Sequence, residues 1–235
     1  MHSSSFDSTT STGSPDYAAL ARSRRSVRGF LPDAVPQALL ESLLQTARQA
    51  PSGANLQPGR FWALQGEARA RLSAALCAAV RTQEPAREEY DYFPQPMPMQ
   101  LRKRQVASAQ ALYRSLGIAR GDAAARQQQF ERNYRFFDAP VALLVTLDRD
   151  FGHGGFMDLG MCLHSLLMAA HAQGLGACAI GALASYPEIV RRELGLPQRE
   201  VVVCGVALGW ADPQAPDNQT QTEREPLEQY FQVLS

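Results

Sequence analysis

Arg24-Arg25-Ser26-Val27-Arg28 gathers three guanidinium groups and one hydroxyl into five residues. Guanidinium forks make charge-assisted contacts to phosphate oxygens, and a hydroxyl with backbone N–H groups adds neutral donors. A phosphomonoester would suit this run. Short arginine-rich stretches are more commonly solvated surface, so residue types alone leave both readings open.

A second polar cluster, Pro51-Ser52-Gly53-Ala54-Asn55-Leu56-Gln57-Pro58-Gly59, is a loop by composition, because Gly, Pro, Ser and Asn each favour turn geometry. Its side-chain amides both donate and accept hydrogen bonds.

Other chemistries find little to work with. The histidines, His2, His153, His164 and His171, form no H-E-x-x-H or Cys/His cluster. His164 and His171 fall seven residues apart on one helix face, where core or surface roles are the better reading. No G-x-S-x-G elbow exists, and no cysteine has a neighbouring cation. The glycine clusters Gly152-His153-Gly154-Gly155 and Gly174-Leu175-Gly176 do not make the G-x-G-x-x-G of a dinucleotide-binding turn.

The elements that must position these residues are legible from periodicity. A short helix is predicted over Tyr17 to Ser23. Pro36 opens a second, whose Leu39, Leu40, Leu43, Leu44 and Ala47 recur at helical spacing until Ala50-Pro51. Phe61 to Leu64 reads as a strand and Glu67 to Val80 as a helix. From Glu88 to Met99, Tyr90, Tyr92 and Phe93 stand among Pro94, Pro96 and Pro98, which block regular helix. Such an insertion either covers a pocket and stacks on its ligand or simply packs its rings, and the sequence weights the two equally.

Leu101 to Leu116 and Asp122 to Phe137 read as helices joined across Gly117 and Gly121. Val141 to Leu147 and Val201 to Leu208 are apolar runs of strand length, expected at the sheet centre. Between them, Gly155 to Gln173 is a helix apolar nearly all round and therefore expected to be buried. Ala177 to Leu183 is a small-residue strand or loop that lets backbone approach a ligand. A helix over Pro187 to Leu194 follows, and Ala211 to Glu225 reads as an extended polar arm.

Basic and acidic residues number 23 each, so no net field draws the chain to nucleic acid or an anionic membrane. Any anion site must be local. Length and a 45% hydrophobic content predict one domain over residues 16–235, behind a Ser/Thr-rich tail, residues 1–15, read as disordered. Cys77, Cys162, Cys178 and Cys204 sit among apolar or small neighbours without a C-x-x-C spacing, as buried thiols of a reducing, cytoplasmic compartment would. No apolar run approaches the roughly 18 residues a membrane span needs.

Taken together, the Arg24–Arg28 run and the Pro51–Pro58 loop resemble the paired signature of the nitroreductase family of flavoproteins. The likeness continues through the Gly155 to Gln173 helix, the Gly174-Leu175-Gly176 turn, the Val201 to Trp210 strand and the Arg224 region. Tyr90-Asp91-Tyr92-Phe93-Pro94, Arg132-Asn133-Tyr134-Arg135-Phe136-Phe137 and Thr222-Glu223-Arg224-Glu225-Pro226 look like the nitrobenzoate reductase branch.

The resemblance implies an α+β fold, a small, mainly antiparallel sheet flanked by helices, in an intertwined homodimer with FMN at the interface. By position, Arg24, Arg25, Ser26 and Arg224 would hold the phosphate and ribityl chain. Arg28, with Arg135 and Asn133 as further candidates, would reach the pyrimidine edge, where a cation raises the reduction potential. Pro51, Ser52, Gly53, Asn55 and Gln57 would come from the partner subunit. Ala179, Ile180, Gly181 and Ala182 would form the backbone turn beside the reactive N5.

No catalytic side chain is implied, since the flavin carries the chemistry. NADH or NADPH would reduce it, and a nitroaromatic or quinone-like acceptor would reoxidise it in a ping-pong cycle. Reductive dehalogenation and a non-catalytic flavin-binding module are the alternatives. Two departures stand out: Gly181-Ala182 where members often have Glu-Gly, and Gly59 where Trp is frequent.

Overall fold

The computed structural model describes residues 16–234, so the tail expected over residues 1–15 lies outside the described residues. Strands β1 (Arg60–Leu64), β2 (Val141–Asp148), β3 (Leu175–Ile180) and β4 (Glu200–Trp210) form one sheet in the order β1-β2-β4-β3. Every neighbouring pair is antiparallel. The two unbroken apolar runs are the inner strands, as expected of strands covered on both faces.

Helices supply that cover. On one face, α2 (Gln37–Ala47) and α6 (His153–Ala172) pack Leu43, Leu159 and Leu166 against Leu143, Val145 and Val206. On the other, α3 (Gly66–Arg81) and α7 (Pro187–Leu194) pack Leu72, Leu76 and Val190 against Ala142, Leu144 and Ala207. Alternate residues of β2 thus serve opposite layers, as the pleat requires. Each buried Leu contributes about 1.5–3 kcal/mol. The arrangement is α+β, as the motifs led us to expect.

The β2–β4 register is irregular. Val145 pairs with Cys204 but Thr146 pairs with Val202, so Val203 is skipped in the register. Such a bulge flips side-chain parity. Cys204 faces the α2/α6 layer, whereas Val202 faces the α3 layer.

Two boundaries and one burial differ from the expectations. The helix expected through Phe137 is α5 (Ala123–Glu131), capped by Asp122 Oδ1 accepting from the Ala125 N–H at 2.9 Å. Residues Arg132–Asp138 then tighten into a 3-10 segment with Phe136, Phe137 and Asp138 at φ 55°, 53° and 58°. Tertiary packing overrides helix propensity there: both rings enter the core, and Phe136 lies against Gly205.

The small-residue strand begins at Leu175, because Gly174 alone makes the turn at φ +76°, and it ends at Ile180. Gly181–Ser185 coils into a 3-10 turn. Third, α6 is not covered all round: Met157 is 67% exposed, and Gly160 and His164 are also exposed. A helix apolar nearly all round is therefore left partly uncovered by its own chain.

The peripheral helices α1 (Tyr17–Ser23) and α4 (Met99–Ser115) bury no residue fully. Among the described residues no helix is long and apolar enough to cross a membrane.

Candidate functional site

The arginine run is strapped to the outer edge of β3. Ser26 forms a parallel bridge with Ala177, and the Val27 N–H donates to the Ala177 carbonyl at 3.1 Å. The Val27 side chain lies over Gly176, where an added Cβ would come 2.6 Å from Val27 Cγ1. Further on, Phe30 bridges Ala211 and the Leu31 N–H donates to the Trp210 carbonyl at 2.9 Å. The sheet edge, not local propensity, fixes this segment.

Among the described residues, Arg24, Arg25 and Arg28 have no carboxylate partner. Arg28 makes only a 3.3 Å contact to the Ser26 carbonyl with its guanidinium. Nearby, His171 Nε2 lies 2.7 Å from Ser23 Oγ, and burial together with the Arg24 charge holds the imidazole below its usual pKa. Burial pushes the Cys178 thiol up although Arg28 and Ser26 oppose it, so the sulfur stays protonated. The result is a concentrated, unneutralised positive patch.

Past Ala177 no further bridge closes the outer edge of β3 among the described residues. Ala179 is exposed, and the turn beginning at Gly181-Ala182 carries little side chain. The structure therefore brings Ser26, Arg28, Ala179, Ile180, Gly181 and Ala182 to one strand edge.

The aromatic insertion closes over this edge. Where β3 ends, Glu89 and Tyr90 take over the exposed side of β4 at the bulge. The Val202 N–H donates to Glu89 Oε2 at 3.3 Å, and the Tyr90 hydroxyl donates to the Val203 carbonyl at 2.6 Å. Arg191, 4% exposed, donates to Glu89 Oε2 at 2.9 Å, and Arg149 engages Oε1. Phe156, Tyr90, Tyr92 and Phe93 follow one another at centroid spacings of 4.9, 6.1 and 4.8 Å.

The amide loop lies elsewhere in the chain. Ser52 Oγ accepts from the Gln57 N–H at 2.9 Å, Arg48 donates to the Gln57 carbonyl at 3.0 Å, and Ala54, Asn55 and Gln57 have positive φ. The Gly53 N–H donates to Asp158 Oδ2 at 3.0 Å, pinning the loop to the first half of α6. Pro51, Gly53, Asn55 and Gln57 are exposed.

Asp158 and His171 are thirteen residues apart on α6. At a rise of about 1.5 Å per residue, the loop and the arginine run are held roughly 20 Å apart along that helix.

Three other sequence candidates stand apart from Arg28. Asn133 donates to the Phe130 carbonyl at 2.7 Å. Arg135 pairs with Asp138 at 3.2 Å and lines a cavity of about 560 Å³ with Arg81 and Glu131. Arg224 lies exposed, bonded to the Thr222 hydroxyl at 2.9 Å and to neighbouring carbonyls. The residue that does reach Arg28 is Arg132, whose guanidinium donates to the Arg28 carbonyl at 2.6 Å and to Asp217 Oδ2 at 2.8 Å. Sequence reasoning passed over Arg132, Asp217, Asn218 and Glu89, because their partners are remote in the chain.

A profile described as the nitroreductase family matches residues 21–210. The chain is a member of the nitroreductase family. Nitrobenzene nitroreductase of Ectopseudomonas oleovorans is 38% identical over 218 residues, covering 92% of this chain and 96% of that one. A 4-nitrobenzoate reductase of Nocardioides sp. (strain LMS-CY) is 32% identical over 93% and 90% of the two chains. The crystal structure of the FMN and NADPH-dependent nitroreductase NfnB from Sphigopyxis sp. strain HMH matches with a TM-score of 0.89 at 35% identity, covering 94% of this chain and 100% of that one.

Within this nitroreductase the two departures from the family motif have local explanations. Gly59 sits at φ +89°, and Leu159 occupies the space a side chain there would need. At Gly181 the equivalent space is taken by the Tyr92 ring.

Proposed function

We propose that this nitroreductase binds FMN and carries electrons from NADH or NADPH to small nitroaromatic or quinone-like acceptors in a ping-pong cycle. It does so as a homodimer in which each cofactor site is shared, with residues 16–235 acting as one FMN-binding domain. The observation that carries this reading is the set of cations without carboxylate partners among the described residues, Arg24, Arg25 and Arg28, fixed with Ser26 along the outer edge of β3. A cluster of like charges without counterions costs stability unless an anion occupies it. A phosphate tail matches Arg24, Arg25 and Ser26, and an electron-rich carbonyl edge matches Arg28.

When bound, FMN supplies the two-electron exchange between nicotinamide and acceptor. The chain's own residues orient and enclose it. Arg24, Arg25 and Ser26 anchor the phosphate end, with Arg224 joining from the arm. Arg28 sets positive charge at the pyrimidine edge, and Arg135 and Asn133 are the outer candidates on that side. Ala179, Ile180, Gly181 and Ala182 present backbone with little side chain of their own, under the Tyr92 ring at Gly181. Asn55, Gln57 and Ser52 present donors and acceptors on a loop held away from Arg24 along α6, and in this reading a second copy delivers them to the site.

Exposed apolar surface supports the second copy. Beyond the uncovered face of α6, Leu227, Tyr230, Phe231, Val233 and Leu234 are all exposed, Tyr230 at 74% and Leu234 at 92%. A stretch this apolar is expected to be covered by a partner. Cys77, Cys162, Cys178 and Cys204 are free and buried, burial raises each thiol, and Cys204 is pushed up to about 12. Such thiols fit a cytoplasmic protein.

The test is the visible spectrum of the purified full chain, before and after anaerobic NADPH or NADH and again after nitrobenzene. A bound flavin band that bleaches with nicotinamide and returns with the nitroarene supports the reading. A colourless chain that takes up no added FMN overturns it. FMN that binds but does not bleach makes the chain a binding module.

A further inference from the structure

The residue pair Asp217-Asn218 holds Arg28 from the far end of the chain. Asn218 Oδ1 accepts from the Arg28 N–H at 2.8 Å and from the Gly29 N–H at 3.1 Å. Its Nδ2 donates to the Gly29 carbonyl at 2.8 Å and to the Asp212 carbonyl at 2.9 Å. Both donors and both acceptor positions of the amide are used. Asp217, 2% exposed, steers Arg132 onto the remaining backbone group, the Arg28 carbonyl. Gly29 permits the approach, since a Cβ there would collide with Ala215.

The side chain is steadied as well. The Arg28 guanidinium lies 5.8 Å from the centroid of the Phe137 ring, and that of Arg132 lies 5.7 Å from the same ring. Phe137 adopts this place from a left-handed backbone, which persists because the surrounding packing holds it there. Backbone and one flank of Arg28 are thus fixed, while its charge has no carboxylate partner among the described residues.

We infer that Asn218 is a positioning residue for Arg28, holding its charge against the flavin's pyrimidine edge and so keeping the reduction potential of the bound cofactor high. This rests on the reading that FMN occupies the site. A charge held in place interacts more strongly with the electron-rich reduced cofactor than one that wanders into solvent, where screening weakens it. Asn218 touches neither cofactor nor substrate.

The experiment compares the FMN dissociation constant, by fluorescence titration, with the two-electron midpoint potential, by dye equilibration, in the wild type and in variants. Asn218→Ala and Arg28→Leu are both expected to lower the potential by about 30 mV, equivalent to a tenfold loss of preference for reduced over oxidised FMN. Arg24→Ala, at the phosphate end, is expected to weaken both redox states alike and leave the potential in place. Asn218→Ser shortens the side chain and removes the amide donors to the Gly29 and Asp212 carbonyls, and a smaller fall is expected, which serves if Asn218→Ala does not fold. A wild-type potential in Asn218→Ala, or in Asn218→Ser where only that variant folds, overturns the inference while leaving the FMN reading intact. A wild-type chain that binds no FMN overturns both.

Discussion

The ring of Tyr92 rests on Gly181, so close that a Cβ on the glycine would lie 2.7 Å from the ring's Cε2. The two residues are remote in sequence and meet because Glu89 and Tyr90 fasten the insertion to the bulged edge of β4. Gly181→Ala is therefore expected to cost about 1–3 kcal/mol by overpacking, and Tyr92→Ala in the same chain to relieve most of that cost. Urea unfolding of the two single variants and the double measures the coupling; strictly additive losses would show that the ring and the turn do not touch.

Tyr92 also bears on the acceptor, because in the proposed enzyme it stands over the N5-side turn. Tyr92→Ala is expected to raise the Michaelis constant for nitrobenzene several-fold, roughly the 0.5–1.5 kcal/mol of one aromatic pairing, and to leave that for NADPH unchanged. Equal shifts for donor and acceptor in steady-state assays would assign the ring a purely structural role.

Glu89 gives a pH signature. Burial raises its pKa, but hydrogen bonds from Arg191 and Arg149 outweigh that and hold the carboxyl below its ordinary 4.5. A carboxyl depressed in the folded state stabilises fully above its unfolded pKa, and the contribution disappears as pH falls through the folded value. Glu89→Gln should thus be less stable than wild type near neutrality, by roughly 1.5–3 kcal/mol for lost charged hydrogen bonds. The gap should narrow only below pH 4.5. Melting curves across pH decide it, and a gap that persists unchanged at pH 3, roughly a unit below the carboxylate range, would contradict the clamp.

Removal of the segment after Glu225 is expected to weaken self-association at least tenfold, because its exposed Leu227, Tyr230 and Phe231 then leave a partner uncovered. Analytical ultracentrifugation over a dilution series provides the check. Identical sedimentation of truncated and full chains would place the contact elsewhere.

Much of this was legible in the chain itself. The inner strands β2 and β4 announced themselves as apolar runs, and α2 and α3 by their leucine spacing, because burial on a defined face leaves a period in the sequence. Arg24, Arg25, Ser26 and Arg28 stood out by residue type, but type alone left them as readily solvated surface, and the family resemblance supplied the cofactor reading. What could not be read was long-range: the Asn218 amide that grips Arg28 sits in a polar stretch with no period, and Glu89 looks like one more surface acid. Phe136 and Phe137 were hidden for another reason, since their left-handed backbone is dictated by the sheet beneath them. Local patterns carry no record of partners chosen by tertiary packing.

The length of α6 has one last effect. In the proposed homodimer, because that helix keeps the amide loop and the arginine run of each copy apart, damage to either would fall on a different one of the two shared centres. Co-expressing a chain lacking Arg24 with one altered at Asn55 would assemble hybrids holding one wholly intact centre beside one doubly crippled. Two inactive parents would then yield offspring with close to half the native turnover per hybrid.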